Sequence, residues 1–272
     1  MASKPQPPET LRSGTNVSLA VADHTAWITL DRPDVANAIT LDLARDLMRA
    51  MHTCEDSADL RVVVLGAAGP VFCGGGDLAA IRESDPNASA YVRELLVYLH
   101  EAIETIARIP VPVIAAVQGS AAGAGMALAC SCDLVVCAAS ARFSMSYTKV
   151  GATPDGSSSW YLPRLVGFRR AMELALLNRE LAAGEALAWG LVTEVVDNDR
   201  LLARVGELSS QLCEGAAHAL GEAKRLIRCS YEHALSEQLS IESGAIRRAV
   251  STEAAETLMD RFLSRKPNGR ME

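Results

Sequence analysis

The stretch Val117–Asp133, VQGSAAGAGMALACSCD, decides the fold prediction for this chain. Gly119, Gly123 and Gly125 lie in it among five alanines, and no charged residue occurs from residue 109 to residue 132. An apolar run leads into the glycines and small residues follow them, so we predict a buried strand, a tight turn and a helix. Glycines let a ligand approach a turn closely, and the unpaired N–H groups at a helix start attract negative charge. The stretch therefore predicts a binding place for a negatively charged oxygen.

Three other interpretations of this stretch are open from the residues alone. The small residues can serve close packing only. The uncharged run of 24 residues is also long enough to cross a membrane, although Pro110, Pro112 and the low leucine content oppose this. Gly123-Ala124-Gly125 matches part of a dinucleotide-binding fingerprint, but Leu128 stands where the third glycine belongs.

The composition is that of a folded protein with a sizeable apolar core. Of 272 residues, 49% are hydrophobic, 22% are charged and only 4% are aromatic, so the core is built mainly from aliphatic side chains. The net charge is −7, and there is no long basic run. Nucleic acid and membrane surfaces are therefore not expected as partners, and an anionic ligand would need a local basic patch.

The cysteines and histidines show no metal-ligand or disulfide pattern. Seven cysteines are present, and Cys130, Cys132 and Cys137 lie in apolar surroundings without CxxC spacing. We interpret all seven as reduced thiols of a cytoplasmic protein, and the five scattered histidines predict no metal site. Residues 1–14 are rich in proline and polar residues and lack the apolar run of a signal peptide, so a disordered tail is expected there.

Strand and helix patterns alternate along most of the chain. The predicted elements are a hairpin of Val17–Ala22 and Ala26–Leu30, a helix capped by Thr40, a buried strand Arg61–Leu65, a glycine-rich loop, a helix Tyr91–Ile109, and strands at Val111 and Leu134–Cys137. This succession predicts an α/β fold in which a parallel sheet is covered by helices.

The pattern changes near residue 197. Before it, a turn at Thr153 opens a short helix, helices follow at Arg169–Leu177 and Ala183–Trp189, and the last strand, TEVVD, ends at Asp197. Beyond it only helices are predicted, over residues 200–214, 217–231, 234–249 and 252–265. We therefore expect a core over residues 15–197 and a helical region over 198–272. A helical region with apolar faces and little core of its own is typical of a subunit contact.

Two glycine-rich turns follow two of the buried strands. One is Gly74-Gly75-Gly76-Asp77, and the other is Gly123-Ala124-Gly125. Because both turns lie at the carboxyl ends of parallel strands, they are expected at the ligand-binding edge of the sheet. Two backbone N–H groups that converge there form an oxyanion hole, which suits a thioester carbonyl whose oxygen gains charge during proton removal.

Three segments together resemble the enoyl-CoA hydratase/isomerase (crotonase) superfamily: VFCGGGDL, the run VQGSAAGAGMALACSCDLVVCAASARFSM, and residues 154–167. The likeness extends over residues 15–266 and is greatest to the ring-1,2-epoxyphenylacetyl-CoA isomerase and cis-3/trans-2-enoyl-CoA isomerase branch. It implies a spiral of ββα units, a C-terminal helical trimerisation region, a homotrimer or a hexamer formed as a dimer of trimers, and acyl-CoA substrates that carry coenzyme A. It also implies an oxyanion hole made by the N–H groups of Gly76 and Ala124.

The same resemblance assigns the acid–base residue to Asp155. The two glutamates with which a hydratase activates water fall at Ala127 and Tyr147, so the hydratase mechanism is not expected. Asp155 matches the aspartate that some isomerases and dehalogenases use, and one carboxylate suffices to move a proton along a chain if water is excluded. Two alternatives stay open: Asp155 can instead cap the helix through Tyr161, and Tyr147 either hydrogen-bonds near the thioester or fills the glutamate's space.

The resemblance also implies a set of substrate contacts. They are Arg32, Ala36, Gly74, Asp77, Leu78, Tyr147, Phe262, Arg265 and Lys266. In this set Arg32, Arg265 and Lys266 would meet the phosphates of coenzyme A, the latter two from a neighbouring subunit. Asp77 and Leu78 would line the adenine pocket through their backbone, and Phe262 would lie on the adenine or serve the core. An isolated basic side chain is equally well a solvated surface charge.

The sequence thus favours an enoyl-CoA isomerase with Asp155 as proton shuttle and no metal or redox cofactor. One alternative is other thioester chemistry, in which Asp155 attacks a substrate carbon as in dehalogenases or the enzyme acts as a hydrolase. Aryl recognition would have to draw on four Phe, three Trp and five Tyr in the whole chain. A second alternative is a non-catalytic acyl-CoA-binding protein that has lost its glutamates. A Ser-His-Asp hydrolase is not supported, since no GxSxG motif is present.

Overall fold

The structure is a computed structural model that describes residues 10–12 and 14–264. The strands are β1 Thr10–Arg12, β2 Val17–Ala22, β3 Thr25–Leu30, β4 Val62–Ala67, β5 Val113–Val117, β6 Ser120–Ala122, β7 Leu134–Ala138, β8 Arg142–Ser144, β9 Leu181–Ala182 and β10 Glu194–Val196. The α-helices are α1 Leu41–Glu55, α2 Leu78–Glu83, α3 Ala88–Arg108, α4 Ala124–Ser131, α5 Ser158–Val166, α6 Phe168–Leu177, α7 Ala183–Trp189, α8 Leu201–Cys213, α9 Ala217–Cys229, α10 Leu235–Ala249 and α11 Glu253–Ser264. Short 3₁₀ turns occupy Pro33–Val35, Thr148–Val150 and Asn198–Arg200.

Two sheets organise these elements. The larger has the strand order β1-β2-β3-β4-β5-β7-β10, in which β3 to β10 run parallel and β1 and β2 are antiparallel additions at one edge. The smaller has the order β6-β8-β9. The parallel sheet with helices between its strands confirms the predicted α/β class.

Helices cover both faces of the large sheet. On one face α1 buries Leu43, Leu47 and Met51 completely, as their four-residue spacing predicts. On the other face Leu201 and Val205 of α8 pack with buried side chains of β4, β5 and β7. A parallel sheet needs cover on both faces, so α8 completes the core. The expected division after residue 197 is therefore not a break in packing.

The second glycine turn forms where the chain passes from the large sheet to the small one. β5 ends at Val117, β6 pairs with β8, and Ala121 of β6 also bridges to Cys73. This bridge lays the loop that carries Gly74–Gly76 beside the loop that carries Gly123–Gly125. The uncharged stretch is thus a strand, a turn and the buried eight-residue helix α4. Within residues 10–12 and 14–264, no helix has the length and apolar character needed to cross a membrane.

Asp133, the last residue of the stretch Val117–Asp133, binds the C-terminal helix α9. Its carboxylate pairs with Lys224 at 2.8 Å and with Arg228 at 2.6 Å, both on α9, and accepts from the N–H of Val113 at 2.8 Å. Burial lowers the pKa of Lys224, and the Asp133 charge opposes that shift. These bonds hold α9 against the starts of β5 and β7, next to the end of α4.

Several short elements differ from the sequence prediction. Helix α2 covers Leu78–Glu83, just after the predicted glycine-rich loop, where no element was predicted, and α3 begins at Ala88 instead of Tyr91. Within the segment predicted as a disordered tail, Thr10–Arg12 pairs with Ser18–Ala20 as an edge strand. Residues 1–9 and 13 lie outside the described part of the chain. Strands of two or three residues such as β6, β8 and β9 are too short to show a periodicity.

Candidate active site

A cavity of about 790 Å³ brings the two glycine turns together with the Tyr147–Asp155 segment. Of the residues assigned from the sequence, it is lined by Gly74, Gly76, Leu78, Ala124, Tyr147 and Asp155. Its apolar wall is supplied by α2 and α3, through Ile81, Val92, Leu95, Leu96 and Leu99. Among the lining residues Asp155 is the only carboxylate and Arg82 the only cation.

A second cavity, of about 770 Å³, lies between α3, α5 and α9. The buried cations on its wall, Lys224 and Arg228, are already paired with Asp133. Neither glycine turn lines it. The first cavity is therefore the candidate active site.

Two backbone donors face the candidate site without an acceptor. In the bridge between Ile39 and Gly76, Ile39 N–H donates to Gly75 O at 2.7 Å and Asp77 N–H donates to Ile39 O at 3.0 Å. These bonds use the groups on either side of Gly76, whose own N–H has no partner among the described residues. Ala124 begins α4, so its N–H also lacks an intrahelical acceptor and makes no other bond in the described chain.

Close backbone contact fixes these two donors relative to each other. Gly75 has φ +98°, and a Cβ atom there would lie 2.9 Å from Ala122 O and 3.5 Å from Ala124 N. A Cβ atom on Gly125 would lie 2.3 Å from Cys73 O. Only glycine fits at either position, so the glycines bring the N–H groups of Gly76 and Ala124 to the same wall of the cavity. The N-terminus of α4 adds the positive end of its helix dipole.

Asp155 is held by the Tyr147 hydroxyl. Tyr147 Oη donates to Asp155 Oδ1 at 2.6 Å, and the tyrosine is only 8% exposed. Burial, and then the neighbouring Asp155 carboxylate, raise the pKa of Tyr147, so its hydroxyl remains a donor. The sequence leaves two roles open for Tyr147, and this bond to the carboxylate is neither of them.

The helix-cap interpretation of Asp155 is wrong. The residue before α5 is Ser157, in a left-handed conformation with φ +68°, and no side chain caps this helix. It is the backbone oxygen of Asp155 that accepts, from Ser158 N–H at 3.0 Å and from Ser158 Oγ at 2.7 Å. The carboxylate is therefore left to the cavity.

Residue 127, where a hydratase has a glutamate, has no room for a larger side chain in this structure. Ala127 is completely buried, and a Cβ atom on Gly156 would lie 3.3 Å from Ala127 Cβ. Gly156 has φ +54° and follows Asp155 directly, so the turn that presents Asp155 lies on top of Ala127. This explains why small residues occupy both positions.

The residues assigned to coenzyme A have partners within the chain. Arg32 pairs with Asp77 at 3.2 Å and donates to Ala38 O. Asp77 also caps α2, since its Oδ1 accepts from Ala80 N–H at 3.1 Å. These bonds place the Arg32 guanidinium beside the start of α2.

Two further assigned residues, Ala36 and Gly74, are bonded to each other. Gly74 N–H donates to Ala36 O at 2.8 Å, and Ala36 has φ +56°. Leu78 is 51% exposed and lines the cavity. Together these contacts build the rim next to the Gly76 donor.

Phe262 does not reach the cavity of its own chain. It is 74% exposed, and α11 lies with Thr257, Leu258 and Arg261 around a depression that Arg61 also lines. Arg61 lies just before the start of β4, whereas the first glycine turn comes after the end of β4. Helix α11 therefore lies at the end of β4 that is away from the candidate site. Arg265 and Lys266 lie outside the described residues.

Two residues near the site were missed at the sequence level. Asn37 is completely buried; its Nδ2 donates to Ala68 O at 2.9 Å and to Val71 O at 2.8 Å, and its Oδ1 accepts from Arg32 N–H at 2.8 Å. It thereby ties the Arg32 loop to the chain that leads into the first glycine turn. Arg82 lines the cavity, and its guanidinium makes no ion pair or hydrogen bond with the described residues. An arginine in a segment for which no element is predicted carries no distinguishing signal.

Comparison with known proteins agrees with the sequence resemblance. A profile of the family described as "Enoyl-CoA hydratase/isomerase" matches residues 22–269. The 1,2-epoxyphenylacetyl-CoA isomerase of Escherichia coli strain K12 is 36% identical over 217 residues, which cover 79% of this chain and 82% of that protein. The 4-chlorobenzoyl coenzyme A dehalogenase-2 of an Arthrobacter species is also 36% identical over 217 residues, 79% of each chain.

The fold agrees as well. The crystal structure of an enoyl-CoA hydratase from Polaromonas sp. JS666 superposes with a TM-score of 0.88 at 33% identity, over 93% of this chain and 99% of that one. These relatives are an isomerase, a dehalogenase and a hydratase, so their names do not select one reaction. They do confirm the crotonase fold and the resemblance to the epoxyphenylacetyl-CoA isomerase branch, and this chain belongs to the enoyl-CoA hydratase/isomerase family of acyl-CoA-processing enzymes.

Proposed function

We propose that this protein is an enoyl-CoA isomerase that shifts a carbon–carbon double bond along the acyl chain of a coenzyme A thioester. One observation carries the proposal: a single carboxylate, Asp155, lines a cavity together with Gly76 and Ala124, whose backbone N–H groups have no acceptor among the described residues. One base and one oxyanion hole are what a 1,3-proton shift requires.

In the proposed reaction Asp155 removes a proton from carbon 2 of a 3-enoyl thioester. The electron pair moves toward the carbonyl, and the oxygen that gains charge is held by the N–H groups of Gly76 and Ala124. Asp155 then returns the proton at carbon 4, which leaves the double bond between carbons 2 and 3. Substrate and product have the same atoms and oxidation state, so the chain's own groups suffice without a metal or redox cofactor.

The apolar wall supports this chemistry by excluding water. Leu95, Leu96 and Leu99 project from α3, and Ile81 from α2, into the same cavity as Asp155. A proton held by the carboxylate there has few competing acceptors. A hydratase has the opposite need, because it must hold and activate a water molecule. The buried Ala127, covered by Gly156, offers that water no carboxylate.

Nucleophilic attack by Asp155, the reaction of a dehalogenase, has less support. Such a substrate carries an aryl ring, and Tyr147 is the only aromatic residue among those that line the cavity. A non-catalytic acyl-CoA-binding role is opposed by the exposure of Asp155 to the cavity beside the two donors.

The proposal includes the assembly and the location. Arg32, Ala36, Gly74, Asp77 and Leu78 would contact coenzyme A from this chain, and Phe262, Arg265 and Lys266 would do so from a neighbour in a homotrimer or a dimer of trimers. Large apolar side chains exposed on α10 and α11 support a subunit contact; they include Leu235, Leu239, Ile246, Phe262 and Leu263. All seven cysteines are free, in keeping with a cytoplasmic protein.

The test is an ultraviolet assay with a cis-3-enoyl-CoA, which follows the appearance of the conjugated trans-2-enoyl thioester. Wild-type protein is expected to produce the signal, and Asp155→Asn to lose it while binding the thioester with similar affinity in calorimetry. Asp56→Asn, an exposed aspartate at the end of α1, is the matched control and should keep full activity. An Asp155→Asn variant that still turns over would remove Asp155 from the mechanism.

A further inference from the structure

The contact with Tyr147 gives the two carboxylate oxygens of Asp155 different surroundings. Oδ1 accepts from Tyr147 Oη at 2.6 Å, whereas Oδ2 has no hydrogen-bond partner among the described residues. Asp155 lines the cavity and is only half-buried. One oxygen is therefore fixed by the protein, and the other is left for a molecule in the cavity.

We propose that Tyr147 is a positioning residue for Asp155, which holds Oδ1 so that Oδ2 alone takes the substrate proton and returns it. This inference rests on the proposed function for the role of Asp155 as the base. Under this proposal a second residue takes part in the proton transfer without exchanging a proton itself. The proposal also accounts for the buried hydroxyl, which is not needed to fill space.

The position of Tyr147 is set by its own backbone bonds. Its N–H donates to Met145 O at 2.6 Å, and its carbonyl oxygen accepts from Val150 N–H at 3.1 Å and from Ala152 N–H at 3.0 Å. The following residue is also tied down, since Thr148 Oγ1 donates to Ala175 O at 3.0 Å. A tyrosine held this firmly can fix the orientation of the carboxylate that it contacts.

The ring of Tyr147 also lies close to the oxyanion side of the site. A Cβ atom on Gly123 would lie 4.0 Å from Tyr147 Cζ and 3.8 Å from Gly75 Cα. Gly123 precedes the donor Ala124 directly, so the ring rests on the turn that carries this donor. Tyr147 therefore spans from the oxyanion hole to the base, and it fixes the spacing between the two groups that must act on one substrate.

The hydroxyl is suited to act as a permanent donor. Its burial and the adjacent carboxylate raise the pKa of Tyr147 well above its ordinary value, so the hydroxyl keeps its proton while the enzyme works. Oδ1 of Asp155 therefore keeps its donor throughout the proton transfer.

A phenylalanine at position 147 would fill the same space, so Tyr147→Phe isolates the hydroxyl. We expect kcat for isomerisation to fall about tenfold or more with little change in KM, because a hydrogen bond to the charged base is lost. A purely structural tyrosine would lower the free energy of unfolding and leave kcat of the folded variant unchanged.

The matched control is Tyr161→Phe. Tyr161 is also partly buried and has its hydroxyl 2.6 Å from a charged group, Arg228 Nη1, but it does not contact Asp155. Tyr161→Phe therefore removes a hydroxyl comparable to the one removed by Tyr147→Phe. We expect kcat and KM of Tyr161→Phe to match those of the wild type.

A second readout does not depend on turnover. In protein labelled with carboxyl-¹³C aspartate, the signal that is absent from Asp155→Asn belongs to the Asp155 carboxyl group. At one fixed pH its chemical shift should change in Tyr147→Phe, which removes the hydrogen-bond donor, and stay in place in Tyr161→Phe. Should Tyr147→Phe fail to fold, the wild type supplies a test of the same contact through a downfield hydroxyl proton that Asp155→Ala abolishes.

The two readouts separate the two proposals. A carboxyl chemical shift that is unchanged in Tyr147→Phe, or a downfield proton unaffected by Asp155→Ala, overturns the positioning role even if the enzyme is an active isomerase. A changed chemical shift in a protein that isomerises no enoyl-CoA supports the contact between Tyr147 and Asp155, and it overturns the proposed function instead.

Discussion

Gly125 lies against the backbone of Cys73 so closely that a Cβ atom on it would sit 2.3 Å from the Cys73 oxygen and 2.6 Å from Cys73 Cβ. Helix α4 can therefore begin beside the first glycine turn only while residue 125 has no side chain. We expect Gly125→Ala to lower the free energy of unfolding by about 1–3 kcal/mol and to reduce kcat by moving Ala124 away from Gly76. Denaturant unfolding and the isomerase assay measure the two effects.

Gly206 supplies the comparison for this variant. It lies within α8, where a Cβ atom would meet nothing within 4 Å. Gly206→Ala should be neutral or stabilise the helix by up to about 1 kcal/mol, with unchanged kcat. Equal losses in both variants would show that the Gly125–Cys73 contact is not what holds the turn.

The donor at position 124 can be removed without breaking its helix. Ala124 is the first residue of α4, and proline is tolerated at a first helical position because its N–H has no intrahelical acceptor. Ala124→Pro should keep the fold, as seen by circular dichroism, and lower kcat on the order of a hundred- to a thousand-fold. Ala124→Gly retains the N–H and should keep most of the activity. A fully active proline variant would exclude this N–H from the oxyanion hole.

Restoring a hydratase glutamate should not restore hydration. In Ala127→Glu the carboxylate would enter a completely buried position against Gly156. We expect a loss on the order of 3 kcal/mol in the free energy of unfolding and no hydration of trans-2-enoyl-CoA. Ala203→Glu, on the exposed face of α8, is the control and should be close to neutral. Measurable hydratase turnover in Ala127→Glu would mean that the Asp155–Gly156 turn can move aside.

How far the sequence predicts this site depends on the distance over which each signal acts. The glycines of the two turns are visible because a strand, a turn and a helix follow one another within a few residues. The helix α1 is visible because Leu43, Leu47 and Met51 repeat every four residues, and Thr40 Oγ1 accepts from Leu43 N–H as its cap. The role of Asp155 came only from the family resemblance.

The remaining features depend on contacts that no local pattern shows. Asn37 stands in the sequence as one more loop residue, and it becomes structural because its amide meets two carbonyl groups more than thirty residues away. Tyr147 and Asp155 are eight residues apart across an irregular turn, so neither helix nor strand periodicity relates them. Arg32 resembles a phosphate ligand in the sequence, yet its guanidinium is paired with Asp77.

A network of charges between α1 and α3 gives the stability of this fold a specific dependence on pH. Arg108 donates to both oxygens of Glu55, at 2.7 and 2.9 Å, and to Glu101 at 2.8 Å, while Glu101 also contacts His52 at 2.9 Å. The hydrogen bond from Arg108 lowers the pKa of Glu55, and those from His52 and then Arg108 lower the pKa of Glu101. The stability that these carboxylates contribute is therefore fully present above their ordinary pKa and is lost as the pH falls through the lowered values.

The variant Arg108→Gln tests the direction of this pH dependence of stability. These side chains are partly exposed, so we expect a loss of no more than about 1 kcal/mol in the free energy of unfolding at about pH 7, smaller still in high salt. The difference between variant and wild type should shrink as the pH falls toward about 3.5, because protonated glutamates no longer attract the guanidinium. Urea unfolding of both proteins across this range measures it. A difference that stays the same toward acid pH would mean that Arg108 acts through packing of its aliphatic part and not through Glu55 and Glu101.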